Sequence, residues 1–470
     1  MTATERDEFR TERDSLGELA VPADAYWGVH TARALENFPI SGIPVGAHRH
    51  LVVALAQVKH AAALANKEIG VLTPLRAEAI EAACRDIAAG RHHDQFCVDV
   101  IQGGAGTSTN MNANEVIANL ALEHMTFERG RYDVISPLDH VNRCQSTNDV
   151  YPTAVKLAVS AALRELTGEL ESLCGAFAAR GAAFGHVVKV GRTQLQDAVP
   201  MTLGREFNAF AATVAEDVAR IGETLPLLAE TNLGGTAIGT GVTAEPGYAD
   251  AVLRHLRQLT GLEWTAAADL VEATSDTGVF LQVSGVLKRT AVKLSKICSD
   301  LRLLSSGPQA GFAEINLPPR QAGSSIMPGK VNPVIPEVVN QIAFAAVGAD
   351  VSIAMAADNG QLQLNAFEPL IAHLLLRTAA WLTHGCTVLR TLCVDGITAN
   401  EQRLAQQATA SVAAVTALTP HIGYEAAARI AKRALASGGA VADLVAEEGL
   451  MDRHLAARLM SLNVRVTAGG

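Results

Sequence analysis

Residues 155–177 read VKLAVSAALRELTGELESLCGAF, and their apolar side chains recur at steps of three and four residues. This spacing is typical of a long helix whose apolar seam packs inside a bundle. The stretch follows Pro152, so the sequence predicts one long helix after that proline. The apolar positions are Val155, Val159, Ala162, Leu166, Leu170, Leu173 and Phe177.

The same rhythm returns in four other stretches of the central part of the chain. It is regular at Phe280, Val283, Leu287, Ala291, Leu294, Cys298 and Leu301, and less regular in residues 205–228, 336–357 and 369–392. Five long helices make a bundle core, so we expect an all-α fold of three domains. The expected domains are a mostly helical N-terminal domain (1–145), a central helix bundle (146–395) and a small C-terminal helical domain (396–470).

Composition narrows the class of protein. Of 470 residues, 49% are apolar, 18% are charged and only 4% are aromatic, which suits helices packed through Ala, Val and Leu. The net charge of −10 and the scattered basic residues argue against a nucleic-acid partner. No uninterrupted apolar run approaches the ~18–20 residues of a membrane-spanning helix. The charged start MTATERDEFRTERD has no apolar core of a secretory signal, so we expect a cytoplasmic protein without a membrane partner.

The sequence favours neither a metal nor an organic cofactor. The seven cysteines include no CxxC pair and have no metal-type spacing to histidine, so we interpret them as reduced core residues. Two glycine-rich runs, GGAG at 103–106 and GGTAIGTG at 234–241, invite a nucleotide hypothesis. Neither run has the context of a βαβ fingerprint or a P-loop, and we therefore expect no nucleotide site.

Two polar stretches precede long apolar-periodic segments. GGAGTSTNMN, at 103–112, offers Thr107 and Ser108, and QSTNDVYP, at 145–152, offers Ser146, Thr147 and Asn148 in succession. Helix capping explains one such residue per helix, because one side chain can accept from the free N–H groups of the first turn. It does not explain three in a row. Capping and an anion-binding helix N-terminus both stay open at this point.

Two further stretches concentrate polar residues in loops. GRTQLQDAVP, at 191–200, carries Thr193 and Gln194, and it is a weak signal on its own. GSSIMPGKVNP, at 323–333, combines two glycines and two prolines with the side chains of Ser324, Ser325, Lys330 and Asn332. Glycine frees the backbone and proline stiffens it, and a plain connector rarely needs both together with so many polar groups. We therefore interpret the second loop as functional.

Taken together, the four stretches resemble the signature regions of the fumarase/aspartase superfamily of lyases. The matching patterns are GxGTxxNMNxNE, QSxND, GRTxLQDA and GSSxMPxKxNP, and the similarity extends from VPADAYWGVHT near the start to GITANEQRL near residue 400. Details such as GVHT, QSTND and GRTQLQDAVP resemble the aspartase branch rather than the fumarases. The resemblance implies a homotetramer with each site shared among three subunits. It also implies reversible anti elimination of ammonia from L-aspartate to fumarate without an organic cofactor.

The resemblance also implies roles for particular residues. Ser324, the first serine of the signature loop, matches the family's general base, which removes a proton to give an aci-carboxylate intermediate. Lys330 and Asn332 match the residues that hold the α-carboxylate. The residues matched to the β-carboxylate are Thr107, Ser146 and Thr147. Ser108 and Ser325, beside them in the motifs, are expected to contact substrate as well.

The residues of the leaving-group pocket indicate whether ammonia or water leaves the substrate. Fumarases carry a histidine after GRT that pairs with a glutamate matching Glu337, and this chain has Gln194 there instead. A protonated amine departs as neutral ammonia, whereas hydroxide needs a proton donor, so the glutamine favours ammonia. We expect Thr193, Gln194 and Asn148 to form the ammonium pocket. The alternatives are a fumarate hydratase and a homologue that has lost catalysis.

Overall fold

A computed structural model describes residues 8–462, and helices account for most of that chain. The all-α fold expected from the sequence is confirmed. The helices are α1 Val29–Asn37, α2 Arg49–Glu68, α3 Pro74–Ala88, α4 Thr107–His124, α5 Thr147–Ala183, α6 Leu203–Thr224, α7 Tyr248–Thr260, α8 Glu272–Ser275, α9 Gly278–Leu304, α10 Val334–Asp358, α11 Glu368–Leu392, α12 Glu401–Ala410, α13 Thr419–Ile422, α14 Tyr424–Ser437, α15 Val441–Glu447 and α16 Arg453–Leu462.

Short elements connect these helices. Turns of 3₁₀ helix lie at Val45–Ala47, His93–Gln95, Leu227–Ala229, Val394–Gly396 and Val412–Leu418, and a π-helical turn lies at Pro137–Val141. The strands pair in twos, antiparallel except for the third pair. They are β1 Phe9–Asp14 with β2 Gly17–Pro22, β3 Val188–Thr193 with β4 Gln196–Thr202, β5 Glu230–Thr231 with β6 Thr265–Ala266, and β7 Ile315–Asn316 with β8 Thr398–Ala399.

The five long helices predicted from the apolar rhythm are α5, α6, α9, α10 and α11. The predicted start of α5 was wrong. This helix begins at Thr147 and contains Pro152 instead of following it. Proline has no N–H to donate to the carbonyl four residues earlier, which is that of Asn148. The side-chain amide of Asn232 donates to this carbonyl instead, at 3.0 Å. A tertiary hydrogen bond therefore replaces the missing helical one.

Contacts along the chain divide it into two compact units. The first comprises the chain up to Gly168 together with Ala219–Ala291 and Phe344–Thr383. The second comprises Glu169–Val218, Val292–Ala343 and the chain from His384 onward. The predicted domain limits at residues 145 and 395 stay a prediction. The first seven and last eight residues of the predicted terminal domains, like the start of the charged N-terminal stretch, lie outside the described residues.

Each unit has a core of its own. In the first unit, α2 packs against α3 and α7, and α3 packs against α4, through small and branched apolar side chains. In the second unit, four phenylalanines stack with ring centroids 5.3–6.3 Å apart: Phe177, Phe184, Phe207 and Phe210. The helices after residue 396 are short and close around Leu418, Ile430 and Val445.

One helix among residues 8–462, α10, is long and apolar enough to span a membrane by length and composition alone. Three charged residues interrupt its sequence, and only 33% of its most apolar window is buried within the chain. Its large apolar side chains are open to solvent, with Phe344, Val351 and Met355 exposed by 67%, 57% and 64%. Exposed apolar side chains in a row of this kind are typical of an interaction surface.

A buried carboxylate fixes the N-terminus of α1. Glu115 of α4 accepts hydrogen bonds from the backbone N–H groups of Gly28, His30 and Thr31, and from the Thr31 hydroxyl, at 2.7–3.1 Å. These donors include N–H groups that the first turn of a helix cannot satisfy internally. Burial raises the pKa of Glu115 to about 7, so the carboxyl group is mostly ionised at pH 8.

We expect Glu115→Gln to lower the free energy of unfolding at pH 8 by about 2–3 kcal/mol. The NH₂ group of the glutamine would face backbone N–H groups at the start of α1, so donors would meet donors. Glu123→Gln is the control, since Glu123 lies on the same helix, is exposed, and within residues 8–462 accepts only from Tyr26 and Arg129. The control should change stability by less than about 1 kcal/mol. Equal losses in urea unfolding of the two variants would contradict a special role for Glu115.

Candidate functional site

Two helix N-termini meet in the first unit. Helix α4 begins at Thr107 and α5 begins at Thr147, and the side-chain amide of Asn110 in α4 donates to the Thr147 hydroxyl at 3.0 Å. The first turn of a helix has free N–H groups and the positive end of the helix dipole. Two such turns side by side make a setting that favours a bound anion.

Close packing holds the two turns in place. The ring of Tyr151, in the second turn of α5, is buried against Gly106, which precedes α4. A Cβ atom at residue 106 would lie 2.6 Å from that ring, and the φ of +88° at Gly106 is left-handed. Both features require glycine. The GGAG run therefore serves helix packing.

Capping explains part of the QSTND stretch. The Ser146 hydroxyl accepts from the Asn148 N–H at 3.2 Å, and Asp149 Oδ1 accepts from the Ser146 N–H at 2.9 Å, which forms a capping box. Asp149 Oδ2 also accepts from the N–H groups of Gly234 and Thr236, both at 3.0 Å. Burial raises the pKa of Asp149 to about 6. Ser146 and Asp149 thus cap α5, whereas Thr147 and Asn148 do not.

The second glycine-rich run lies against Asn148. Asn148 Nδ2 donates to the carbonyl of Ala237 at 2.7 Å, and a Cβ atom at Gly239 would lie 2.3 Å from the Leu270 backbone. The run therefore forms a tight wall beside the start of α5. Because Nδ2 faces a carbonyl, Asn148 presents Oδ1, a hydrogen-bond acceptor, on its other side.

Of the remaining predicted residues in the first unit, Thr107 is exposed and Ser108 is half-buried. The Thr107 hydroxyl donates to the Gly104 carbonyl at 2.7 Å, so its oxygen can still accept. The structure thus brings together Thr107, Ser146, Thr147 and Asn148 at the two helix N-termini.

Hydrogen bonds join the two ends of the signature loop, residues 323–333, which lies in the second unit. The Gly323 N–H donates to the Lys330 carbonyl at 2.8 Å, and Asn332 Nδ2 donates to the Gly323 carbonyl at 3.0 Å. Within the loop, the Ser324 hydroxyl oxygen accepts from the N–H groups of Ile326 and Met327, at 3.2 and 3.0 Å. Ser324 is half-buried, while Ser325 and Lys330 are exposed. Two backbone donors converge on one serine oxygen, which favours negative charge there.

Three of the predicted residues line one cleft of about 750 Å³ in this unit, namely Lys330, Asn332 and Glu337. Arg302 lies on the same cleft, 3.7 Å from the Glu337 carboxylate. Ser324 and Ser325 belong to the loop but are not among the lining residues.

Thr193 and Gln194 lie at the tight turn between β3 and β4. Gln194 and Leu195 have φ values of +51° and +61°, a left-handed geometry that such turns usually give to glycine or asparagine. The side chain of Gln194 is exposed, and among residues 8–462 it has no hydrogen-bond partner. Strained residues of this kind persist where the surroundings hold them.

Buried charges hold this hairpin. Arg192 pairs with Glu314 at 2.5 Å, and Lys189 pairs with Glu314 at 2.7 Å and with Glu206 at 2.6 Å. Glu314 is fully buried, and the Arg192 guanidinium stacks over the Phe312 ring at 4.4 Å. Sequence analysis missed Lys189, Glu206 and Glu314. The available signal was Arg192 itself, because an arginine that is partly buried beside a polar turn needs a carboxylate partner.

No group of three His, Cys, Asp or Glu side chains that could hold a metal ion occurs in the part of the chain that the structure describes. Several cysteines are buried, and burial raises the pKa of the thiols of Cys84, Cys386 and Cys393. The groups that the structure places at the candidate site include hydroxyls, amides, backbone N–H groups and the ammonium of Lys330.

We expect Gly106→Ala to disturb both helix N-termini, because its methyl group would overlap the Tyr151 ring. The free energy of unfolding should fall by about 2–4 kcal/mol, the sum of overpacking and left-handed strain. Gly104→Ala is the matched control, since Gly104 is also left-handed but its added methyl group would lie 3.8 Å from the nearest atom. Urea unfolding should show a loss of only about 1 kcal/mol for this control, and equal losses would contradict the packing argument.

Comparison with known proteins adds independent information. Residues 17–348 match the model of a family described as Lyase, and residues 415–464 match that of the fumarase C C-terminus. The aspartate ammonia-lyase of Pseudomonas fluorescens is 58% identical to this chain, over 94% of the chain and 93% of the relative.

Two solved structures resemble the whole chain. Fumarate lyase:delta crystallin from Brucella melitensis, bound to cobalt, has a TM-score of 0.94 and 53% identity, and the match covers 96% of this chain and 98% of that one. Recombinant class II fumarase from Schistosoma mansoni has a TM-score of 0.90 and 34% identity, with the same coverage.

Proposed function

This chain belongs to the fumarase/aspartase superfamily of lyases, and we propose that it catalyses the reversible anti elimination of ammonia from L-aspartate to give fumarate. The observation that carries the proposal is the 58% identity to an aspartate ammonia-lyase, against 34% to a class II fumarase of similar fold. Gln194, where fumarases have histidine, supports the same choice.

The reaction needs a site for concentrated negative charge. Removing a proton from the carbon next to the β-carboxylate gives an aci-carboxylate with two negative charges. Preorganised donors around such a group are usually the largest catalytic contribution, and losing one costs roughly 3–4 kcal/mol. We assign this role to Thr107, Ser146 and Thr147, and the support is that these residues lie at two adjoining helix N-termini. Thr107 takes this role by turning its hydroxyl hydrogen from the Gly104 carbonyl to the substrate.

The α-carboxylate needs a second anchor, so that the C–H and C–N bonds can lie antiperiplanar. We assign it to Lys330 and Asn332, which line one cleft, with Ser108 and Ser325 as further substrate contacts. Glu337 lies on the same cleft and is a supporting residue. A cation and an amide donor are suitable partners for a carboxylate.

Ser324 is the proposed general base. An ordinary hydroxyl is a poor base, and its alkoxide must be stabilised before it can take a proton from carbon. The two N–H donors at its oxygen, from Ile326 and Met327, support this assignment because they favour the alkoxide over the alcohol. The proton passes to Ser324, the double bond forms, and the amine leaves as ammonia.

The ammonium group of the substrate carries donors only, so its pocket must supply acceptors. Asn148 fits this requirement, because the hydrogen bond from its Nδ2 to Ala237 leaves Oδ1 to accept. We assign Thr193 and Gln194 to the same pocket. Gln194 cannot act as an acid near neutral pH, and an already protonated amine does not need one to leave.

We also propose that the protein is a cytoplasmic homotetramer with sites shared between subunits. The exposed apolar side chains of α10, including Phe344, Val351 and Met355, support an interface between copies of the chain. The acidic composition is compatible with a soluble assembly.

The direct test follows fumarate absorbance when purified protein receives L-aspartate or, separately, L-malate. Turnover of aspartate without turnover of malate is expected. Activity with malate alone would favour the fumarate hydratase. Activity with neither substrate would favour a homologue that has lost catalysis.

Ser324→Ala should lower kcat for aspartate at least 100-fold, because no other loop residue is proposed to take the proton. Its fumarate affinity, measured by calorimetry, should change less than threefold, since Ser324 is not an anchor. Near-native kcat would contradict the assignment of the base, and a matching loss of fumarate affinity would point to a collapsed loop.

Gln194→His should lower kcat/KM for aspartate about tenfold, which corresponds to ~1.4 kcal/mol of transition-state stabilisation. The matched control is Gln196→His, an exposed glutamine on the same hairpin turn. It should leave kcat/KM within twofold. Faster aspartate turnover by Gln194→His would refute an essential role for the amide.

A further inference from the structure

The hydroxyl of Thr147 has one hydrogen-bond partner. Thr153 and Thr167 of the same helix donate their hydroxyl hydrogens to the carbonyl four residues earlier, at 2.6 and 2.8 Å, but Thr147 begins the helix and has no helical turn before it. The Thr147 hydroxyl accepts from Asn110 Nδ2 at 3.0 Å, and this hydroxyl makes no other hydrogen bond among residues 8–462. Its oxygen is therefore occupied by a donor, and its hydrogen is left to donate.

The orientation of the Asn110 amide is fixed in turn. Asn110 Nδ2 also donates to Asn142 Oδ1, at 3.2 Å. Turning the Asn110 amide over would place two oxygens against each other at Asn142 and would offer an acceptor to Thr147. The amide is almost fully buried, so water cannot compensate for such a clash.

Asn142 is oriented by a backbone carbonyl, which can only accept, and by two buried donors. Its Oδ1 accepts from Lys59 Nζ at 2.9 Å and from Asn114 Nδ2 at 3.1 Å. Its Nδ2 donates to the carbonyl of Gln145 at 3.2 Å, and a carbonyl can only accept. Lys59 and Asn114 are fully buried. The N–H donors of Lys59, Asn114 and Asn110 therefore converge on Asn142 Oδ1. Asn110 Nδ2 also donates to the Thr147 hydroxyl.

We propose that Asn110 is a positioning residue, oriented by Asn142 and Lys59, that keeps the Thr147 hydroxyl as a donor to the β-carboxylate of the substrate. The inference rests on the proposed function, in which Thr147 binds that carboxylate. A donor whose direction is set before substrate arrives needs no reorganisation as charge develops, which is where such groups stabilise a transition state most.

The test reverses the direction of one hydrogen bond. Asn110→Asp keeps the side-chain shape but offers an acceptor where Nδ2 was, so the Thr147 hydroxyl turns its hydrogen inward. We expect kcat/KM for aspartate to fall at least 100-fold and the affinity for succinate, measured by calorimetry, to fall at least tenfold. Asn110→Leu, which removes the donor without adding an acceptor, should cause a smaller loss of both.

The control is Asn112→Asp, and the discriminating measurement is a double-mutant cycle with Thr147→Val. Asn112 lies on the same helix and is fully buried, but its amide donates to the Gln95 carbonyl. In the Thr147→Val background, Asn110→Asp should change kcat/KM and succinate affinity less than threefold. The effect of Asn112→Asp should be the same in both backgrounds.

The proposal is overturned if Asn110→Asp lowers both quantities equally with and without the Thr147 hydroxyl, because the loss would then be structural. It is also overturned if the folded Asn110→Asp variant keeps activity and succinate affinity within threefold of the wild type. If the wild-type protein binds succinate but does not convert aspartate, only the proposed function is contradicted. The double-mutant cycle then tests the role of Asn110 through succinate affinity. Wild-type protein that does neither contradicts both.

Discussion

The contact of the Tyr151 ring with Gly106 sets the distance between two helix N-termini, and the candidate site depends on that distance. A side chain at residue 106 would push the start of α4 away from the start of α5. The hydrogen bond from Asn110 to Thr147 would then be lost, because it joins the first turns of these two helices. This packing contact therefore determines whether the polar groups of the two helix N-termini lie close enough to act together.

Both units contain polar side chains that are oriented by hydrogen bonds to the backbone and can still form a further hydrogen bond. Asn148 donates to the Ala237 carbonyl and keeps an acceptor, while Ser324 accepts from two N–H groups. Gln194 lies in a turn with left-handed backbone geometry, and its side chain is exposed. Arg192, in the strand that leads into this turn, pairs with the buried Glu314. Fixed orientation of this kind removes the reorganisation that a flexible polar site would require.

Sequence periodicity predicted the five long helices because apolar side chains recur at helical spacing along each of them, most regularly in α5 and α9. It misplaced the start of α5, since the side chain of Asn232 that serves the carbonyl opposite Pro152 is distant in sequence. The excess of hydroxyls and amides over capping needs predicted a site at these helix N-termini, and the site stays a prediction. Which of them caps could not be predicted, because Ser146 and Thr147 are neighbours of similar chemistry. Ser146 accepts from the nearby N–H of Asn148, whereas Thr147 accepts from Asn110 of another helix.

Lys59 shows what sequence analysis overlooked. It lies in the apolar stretch HLVVALAQVKHAAALANKEIG, four residues after Leu55 and three before Ala62, both of which are buried. A lysine on the buried face of a helix needs a buried acceptor, and this signal was present in the spacing. Its partner Asn142 directly follows the π-helical turn, where no periodic pattern reveals the direction of a side chain.

In the proposed reaction, the β-carboxylate of the substrate binds between the first turns of α4 and α5. A crystal structure of the Ser324→Ala variant with L-aspartate bound would show where this group lies. We expect oxygens of one carboxylate within about 3 Å of the hydroxyls of Thr107 and Thr147. A bound aspartate with both carboxylates away from these two turns would contradict it.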